Sequence, residues 1–223
     1  MKKLQLTSTF LFLFAALSVQ AQGSEPVRNS VEKATYRVTF ENLWNKEDHL
    51  AFPSNAHFSP IVAVSHTSDF HLFRLGGLAS DGFKSLSETG NTRSIRQEIG
   101  RAGDSILELR QSEALFPTEA LNSLSFDIEV SREHPLFSLT TMIAPSPDWT
   151  VGIDSLSLVQ GNEFVESYTT QLFAVNAGTE NGDFGGNFSL NNRASNPQEP
   201  ISGLYRKDGL DKAFARVIVE RVR

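Results

Sequence analysis

Two segments stand out: Pro145-Ser146-Pro147-Asp148-Trp149, in which an aspartate follows two prolines, and a run from Gly178 to Asn196 dominated by Gly, Asn, Asp and Ser and rich in side-chain oxygen. Carboxylates, amides and hydroxyls at that density suit a cation or a sugar better than a partner helix, and long ordered loops in compact domains are often functional. Pro145 and Pro147 restrict the backbone ahead of Asp148, which lowers the entropy cost of fixing its carboxylate. Taken by itself, Asp148 reads either as a ligand or as a turn residue that satisfies neighbouring backbone N–H groups. Phe184 and Phe188, embedded in the second segment, either offer a binding surface or fold back to plug the end of the fold. Asn187-Phe188-Ser189 also fits the N-glycosylation pattern, which has meaning only in a eukaryotic host.

Other chemistries find less support. His49, His57, His66, His71 and His134 show no His-Glu-x-x-His or comparable spacing, so no zinc or copper site is expected, and His57 and His134 are expected to hydrogen-bond within the fold. Gly-x-Ser-x-Gly is absent, and no serine occupies a recognisable nucleophile turn. Gly82, Gly90, Gly100 and Gly103 punctuate helices and turns without forming a phosphate loop. With no cysteine, the chain has no disulfide, no thiolate metal site and no cysteine nucleophile. Paired carboxylates of a glycosidase are assembled in space and leave no spacing signal. A non-catalytic role is therefore expected, with an exported hydrolase as an alternative.

The elements that must position these segments are mostly strands. From Ala34 to Phe40 the chain alternates, with Tyr36, Val38 and Phe40 on one face and Thr35, Arg37 and Thr39 on the other, the pattern of a half-exposed strand. Further strands are predicted at 61–66, 124–130, 136–143, 151–159, 168–175 and 213–222, separated by turn-rich stretches, which points to an antiparallel sandwich. Leu78, Phe83, Leu86, Ile95 and Ile99, set among polar residues, predict one or two short helices covering an edge or end of the sandwich.

Lys2 and Lys3, the apolar stretch Phe10 to Val19 and the small-residue ending Val19-Gln20-Ala21 form a signal-peptide pattern. Its apolar part is too short to span a bilayer. Cleavage after Ala21, a tether over 22–33, one domain over 34–223 and no membrane anchor are expected, the product being secreted or periplasmic. Losing Lys2 and Lys3 takes the net charge from −6 to −8. An acidic surface repels nucleic acid and anionic lipid and favours cations.

Three stretches together resemble the spondin domain, the N-terminal module of the F-spondin family of extracellular matrix proteins. They are Phe52-Pro53-Ser54-Asn55-Ala56-His57-Phe58-Ser59-Pro60 with Gly76-Gly77-Leu78-Ala79-Ser80; His134-Pro135-Leu136 leading into Met142-Ile143-Ala144-Pro145-Ser146-Pro147-Asp148-Trp149; and Asn176-Ala177-Gly178-Thr179-Glu180-Asn181-Gly182. The resemblance implies an all-β, eight-stranded antiparallel sandwich similar to a C2 domain, with a calcium ion (Ca2+) held by loops at one end. Its ligand positions fall on Asp148, Asn176 and Glu180. Two of these depart from the family pattern, Asn176 standing where an aspartate is usual and Glu180 being one methylene longer.

Calcium accepts six to eight oxygens from side chains, backbone and water, so both departures can still ligate, at the cost of one formal charge. Asp183 is an additional candidate to restore that charge, and Asp154 a weaker one. The function so implied is a monomeric, exported, non-catalytic binding or adhesion module whose partner is an extracellular protein or glycan. A carbohydrate-binding envelope protein using Phe184 and Phe188 is the alternative of the same geometry, since a fold fixes no partner.

Overall fold

The computed structural model describes residues 32–49, 52–118, 120–180, 198–204 and 210–223. The expected signal peptide, nearly all of the tether, and Asp183, Phe184 and Phe188 lie outside the described residues.

Strand β1 (Lys33–Asn42) carries the predicted alternation, with Ala34, Tyr36, Val38 and Phe40 buried and the residues between them exposed or half-buried. In the first sheet β1 lies between β5 (Ser123–Ser131) and β13 (Ala215–Arg221), and β10 (Ser167–Leu172) pairs with the far side of β13, every pairing being antiparallel. Burying Tyr36, Val38 and Phe40 contributes on the order of 1.5–3 kcal/mol for each large apolar side chain. Phe40 meets Phe58 edge to face at 5.0 Å, joining this sheet to the short β2 (His57–Phe58) of the second. The Tyr36 hydroxyl donates to the carbonyls of Val165 and Leu158, at 2.7 and 3.1 Å, and burial pushes its pKa up to about 12.

The second sheet runs β12 (Ser202–Gly203), β11 (Val175–Asn176), β7 (Trp149–Ser157), β6 (Leu136–Ala144), β3 (Val62–His66) and β4 (Ile106–Gln111), with β2 paired to β6. A separate hairpin joins β8 (Val159–Gln160) to β9 (Glu163–Phe164). The fold is thus an antiparallel sandwich in which, among the described residues, eight strands have five or more residues, supplemented by five two-residue strands. Among the described residues no helix is long and apolar enough to cross a membrane.

Two apolar layers flank the second sheet. Ala63, Phe137, Leu139, Trp149 and Val151 pack toward the first sheet, with Val38, Phe40, Val217 and Val219 in the same cluster. Val62, Val64 and Met142 instead join Phe83, Leu86, Ile95 and Ile99 of helices α1 (Asp81–Thr89) and α2 (Arg93–Arg101). The helices therefore cover the outer face of the second sheet, not an edge or end of the sandwich. This also explains why β3 and β6 lack clean alternation, since a strand covered on both faces buries both sets of side chains.

Leu78 lies before α1 and is 59% exposed, so it is not part of the helical apolar face. The segment 168–175 breaks into β10 and β11, and β4 is a strand the sequence pattern did not announce. All residues of β4 are half-buried or exposed, because it lies at the end of the sheet.

Candidate metal centre

Asp148 ends the turn between β6 and β7. Pro145 follows a cis peptide, and Ser146 Oγ accepts a 3.0 Å hydrogen bond from the Trp149 amide, closing the turn on itself. Trp149 is buried in the core and pairs in register with Asn176 of β11. This pairing draws the later loop against the turn, where the Ala177 amide donates to the Asp148 carbonyl at 3.2 Å.

The Asp148 side chain is fully buried. Its Oδ2 accepts from the amides of Thr179 at 2.7 Å and Glu180 at 3.1 Å, with the Thr179 hydroxyl at 3.4 Å. Its Oδ1 is buried with no hydrogen-bond partner. Burial is the largest influence and raises the carboxyl pKa, the bonds from Thr179 and Glu180 pull it back down, and the charge of Glu88 pushes it up. A buried carboxylate oxygen without a partner is costly unless a cation or proton completes it.

Both the turn-residue and the ligand readings of Asp148 thus have a counterpart in its two oxygens: Oδ2 satisfies backbone donors, and Oδ1 is left over. Asn176 Oδ1 accepts from the Gly178 amide at 2.6 Å, an Asx turn that fixes its carbonyl beside the Asp148 segment. Gly178 has φ of +73°, and a Cβ there would lie 2.1 Å from the Glu199 carbonyl oxygen, so only glycine fits. Glu180 is brought to Asp148 through its own N–H.

Asp154 belongs elsewhere. It lies farther along β7, where its carboxylate binds His71 Nδ1 at 2.9 Å and the Leu72 amide at 3.2 Å, and so is no alternate for the missing charge. His57 Nδ1 meets the Asn55 carbonyl at 2.7 Å, and His134 Nε2 meets that of Asp104 at 2.8 Å, both within the fold as expected. Among the described residues no group of three or more His, Asp or Glu side chains is placed to hold a metal.

Sequence patterning missed Glu88. In Ser-Leu-Ser-Glu-Thr it reads as part of a solvated helical face, yet it is buried near the end of α1, ion-paired to Lys84 at 2.5 Å and near enough for Asp148 to feel its charge. No spacing rule places it there, because α1 is brought over β6 by Phe83 and Leu86 packing with Met142.

Fold and site together define an antiparallel β-sandwich module whose end loops converge on a buried carboxylate. The Spondin_N family model matches residues 34–215, and the chain belongs to that family. It is 32% identical to human Spondin-2 over 202 residues, covering 86% of this chain and 59% of that protein. To chicken (Gallus gallus) Spondin-1 it is 32% identical over 207 residues, covering 85% of this chain and 25% of that protein. The chain thus spans about three fifths of the one relative and a quarter of the other.

Proposed function

We propose that this chain is an exported, non-catalytic calcium-binding module in which the ion ties the turn at Asp148 to the loop after β11, and the loops so fixed contact an extracellular partner. Asp148 Oδ1, Asn176 and Glu180 would hold the ion, with Asp183 as a further donor. The ion would supply positive charge where the fold has buried negative charge, and the protein's part is to hold the oxygens in place beforehand.

The observation that carries this reading is the buried, unpartnered Oδ1 of a carboxylate whose other oxygen already caps two amides. Spondin_N membership supports it, and the leader-like first 21 residues are consistent with export to a compartment where calcium is plentiful. The partner is not carried over from the spondins, whose remaining length this chain does not cover.

Thermal unfolding in calcium, magnesium or chelator tests the reading. Calcium at about 100 times its dissociation constant should stabilise the folded state by about 2.7 kcal/mol. A melting temperature unmoved by millimolar calcium, or a shift that survives Asp148→Ala, would overturn it.

A further inference from the structure

The first sheet ends on two strands of opposite character. At one edge β5 carries Asp127 and Glu129, ion-paired to Arg37 at 2.9 Å and to Lys33 at 2.8 Å, and the Glu108 carboxylate of β4 accepts from the Glu129 amide, so that edge is charged and capped. At the other edge β10 reads Ser-Tyr-Thr-Thr-Gln-Leu, with no charge and no proline. Charges, prolines and covering groups are the usual protection of an edge strand against pairing with another chain. Among the described residues, β10 has none of them.

The register shows which backbone groups are open. The Arg221 amide donates to the Glu166 carbonyl at 2.9 Å, and Tyr168 and Thr170 lie opposite Val219 and Val217, so alternation turns the N–H and C=O of Tyr168 and Thr170 toward β13. Those of Ser167, Thr169 and Gln171 turn the other way. All three residues are exposed, and among the described residues none of their N–H groups has a partner on that side. Beside this edge a groove of about 230 Å³ separates β10 from β7, its lining including Leu75, Gly152, Ile153, Tyr168 and Thr170. Leu75 is 57% and Tyr168 37% exposed, and Gly152, Ile153 and Thr170 are half-buried, so the lining is open to an incoming group and carries no charge.

We propose that β10 pairs antiparallel with β10 of a second copy of this chain, about a two-fold axis at Thr169, in place of the monomer expected from the sequence. This register sets Ser167 opposite Gln171 and Thr169 opposite its own copy, so all three open residues of each strand exchange backbone hydrogen bonds and the two sheets run on as one. It also sets Tyr168 opposite Thr170, a favourable pairing of an aromatic with a β-branched residue, on the face that lines the groove. The Tyr168 of each copy then covers the groove of the other beside Leu75 and Ile153. The strand itself thus carries the complement of its own edge, which selects a second copy over a foreign strand. The chain is acidic overall, but no like charges meet across this edge, and Glu166, just before the strand, is ion-paired to Arg221 at 3.1 Å. A strand pair of this length is small beside a standard interface of about 1,600 Å², so the dimer forms at micromolar concentration or above. The surface shares no residue with the Asp148 region and does not depend on calcium.

Light scattering of the mature protein in chelator, over a dilution series from about 1 mM to about 10 μM, tests this, with the dimer mass expected at the top of the series and a fall toward the monomer mass on dilution. Thr169 is exposed and faces away from the core, so Thr169→Lys and Thr169→Glu leave the fold intact while setting like charges directly opposite each other at the axis. Each should weaken the dimer at least about tenfold. An equimolar mixture of the two variants should regain the dimer, a result that no loss of folding produces. A monomer at about 1 mM, a dimer that both variants leave unchanged, or a mixture no tighter than its components would each overturn the pairing. The first of these would leave the edge to a strand of another protein.

Discussion

Asp148 Oδ2 lies 2.7 Å from the amide nitrogen of Thr179, thirty-one residues farther along the chain, while Oδ1 of the same carboxylate meets no donor. One side chain thus closes a loop and keeps an unspent charge, and the two roles separate by substitution. Asp148→Ala leaves two buried amides without an acceptor and should cost about 2–3 kcal/mol in chelator, measured by urea unfolding. Asp148→Asn keeps an acceptor and removes the buried charge, so it should stay within about 1 kcal/mol of the parent in chelator yet show no gain with calcium. Equal losses for the two variants in chelator would show that Oδ2 does not cap the loop.

The direction of the Asp148 shift gives a pH signature. A carboxyl raised above its ordinary 3.8 holds its proton longer in the folded state than in the unfolded one. Its contribution is therefore fully present below pH 3.8 and is lost as pH rises through the folded value, where the buried charge appears. Calcium competes with that proton, so the calcium-induced melting shift should shrink as pH falls toward the raised pKa. A shift constant down to about pH 4 would contradict a carboxylate ligand of raised pKa.

Burial lowers the pKa of both His49 and His66 below 6.5. The unfolded chain then binds more protons in that window, so the stability these neutral rings supply is present above pH 6.5 and is lost as pH falls through it. Burial disfavours the charged form of His66, while the bond from its Nδ1 to the Thr67 carbonyl pulls the pKa back up; Nε2 meets Ser138 Oγ, each contact being 2.7 Å. Urea midpoints should fall from about pH 7.5 to about pH 5, with a shallower slope in His66→Gln. A flat profile would show that the histidines titrate alike folded and unfolded.

Gly178→Ala forces a Cβ into the Glu199 carbonyl at a positive φ. A loss of more than about 1 kcal/mol is expected, together with weaker calcium stabilisation, because the loop bearing Thr179 and Glu180 must shift. An unaltered melting curve with and without calcium would place the loop's rigidity elsewhere.

Ser155 permits a comparison of strain against hydrogen bonding. Ser155→Ala keeps the left-handed strain and loses the hydroxyl contacts to Asp154 and His71, whereas Ser155→Gly loses the same contacts and relieves the strain. The glycine variant should be the more stable of the two by about 1 kcal/mol in chemical unfolding. The reverse order would mean that the backbone at this position is not under strain.

Alternation carried β1 completely, because one face of that strand meets the core and the other meets water. The placement of α1 and α2 was not legible: expected over an edge or end of the sandwich, these helices lie on the outer face of the second sheet and bury both faces of β3 and β6. Asp148 was singled out through the family resemblance, and its turn reading through the prolines before it. Glu88 was not, because a helical glutamate carries no local mark of burial.

The sequence by itself determined β1, most of the other long strands and the turn chemistry at Pro147-Asp148, which are local: they depend on side-chain period and backbone freedom within a few residues. Only the tertiary structure decided which oxygens stand together. The pairing of Trp149 with Asn176 sets Thr179 and Glu180 on Asp148, and helix packing on β6 brings the charge of Glu88 within reach. Electrostatic and hydrogen-bond energies depend on distance in space and on burial, and neither is a property of sequence spacing.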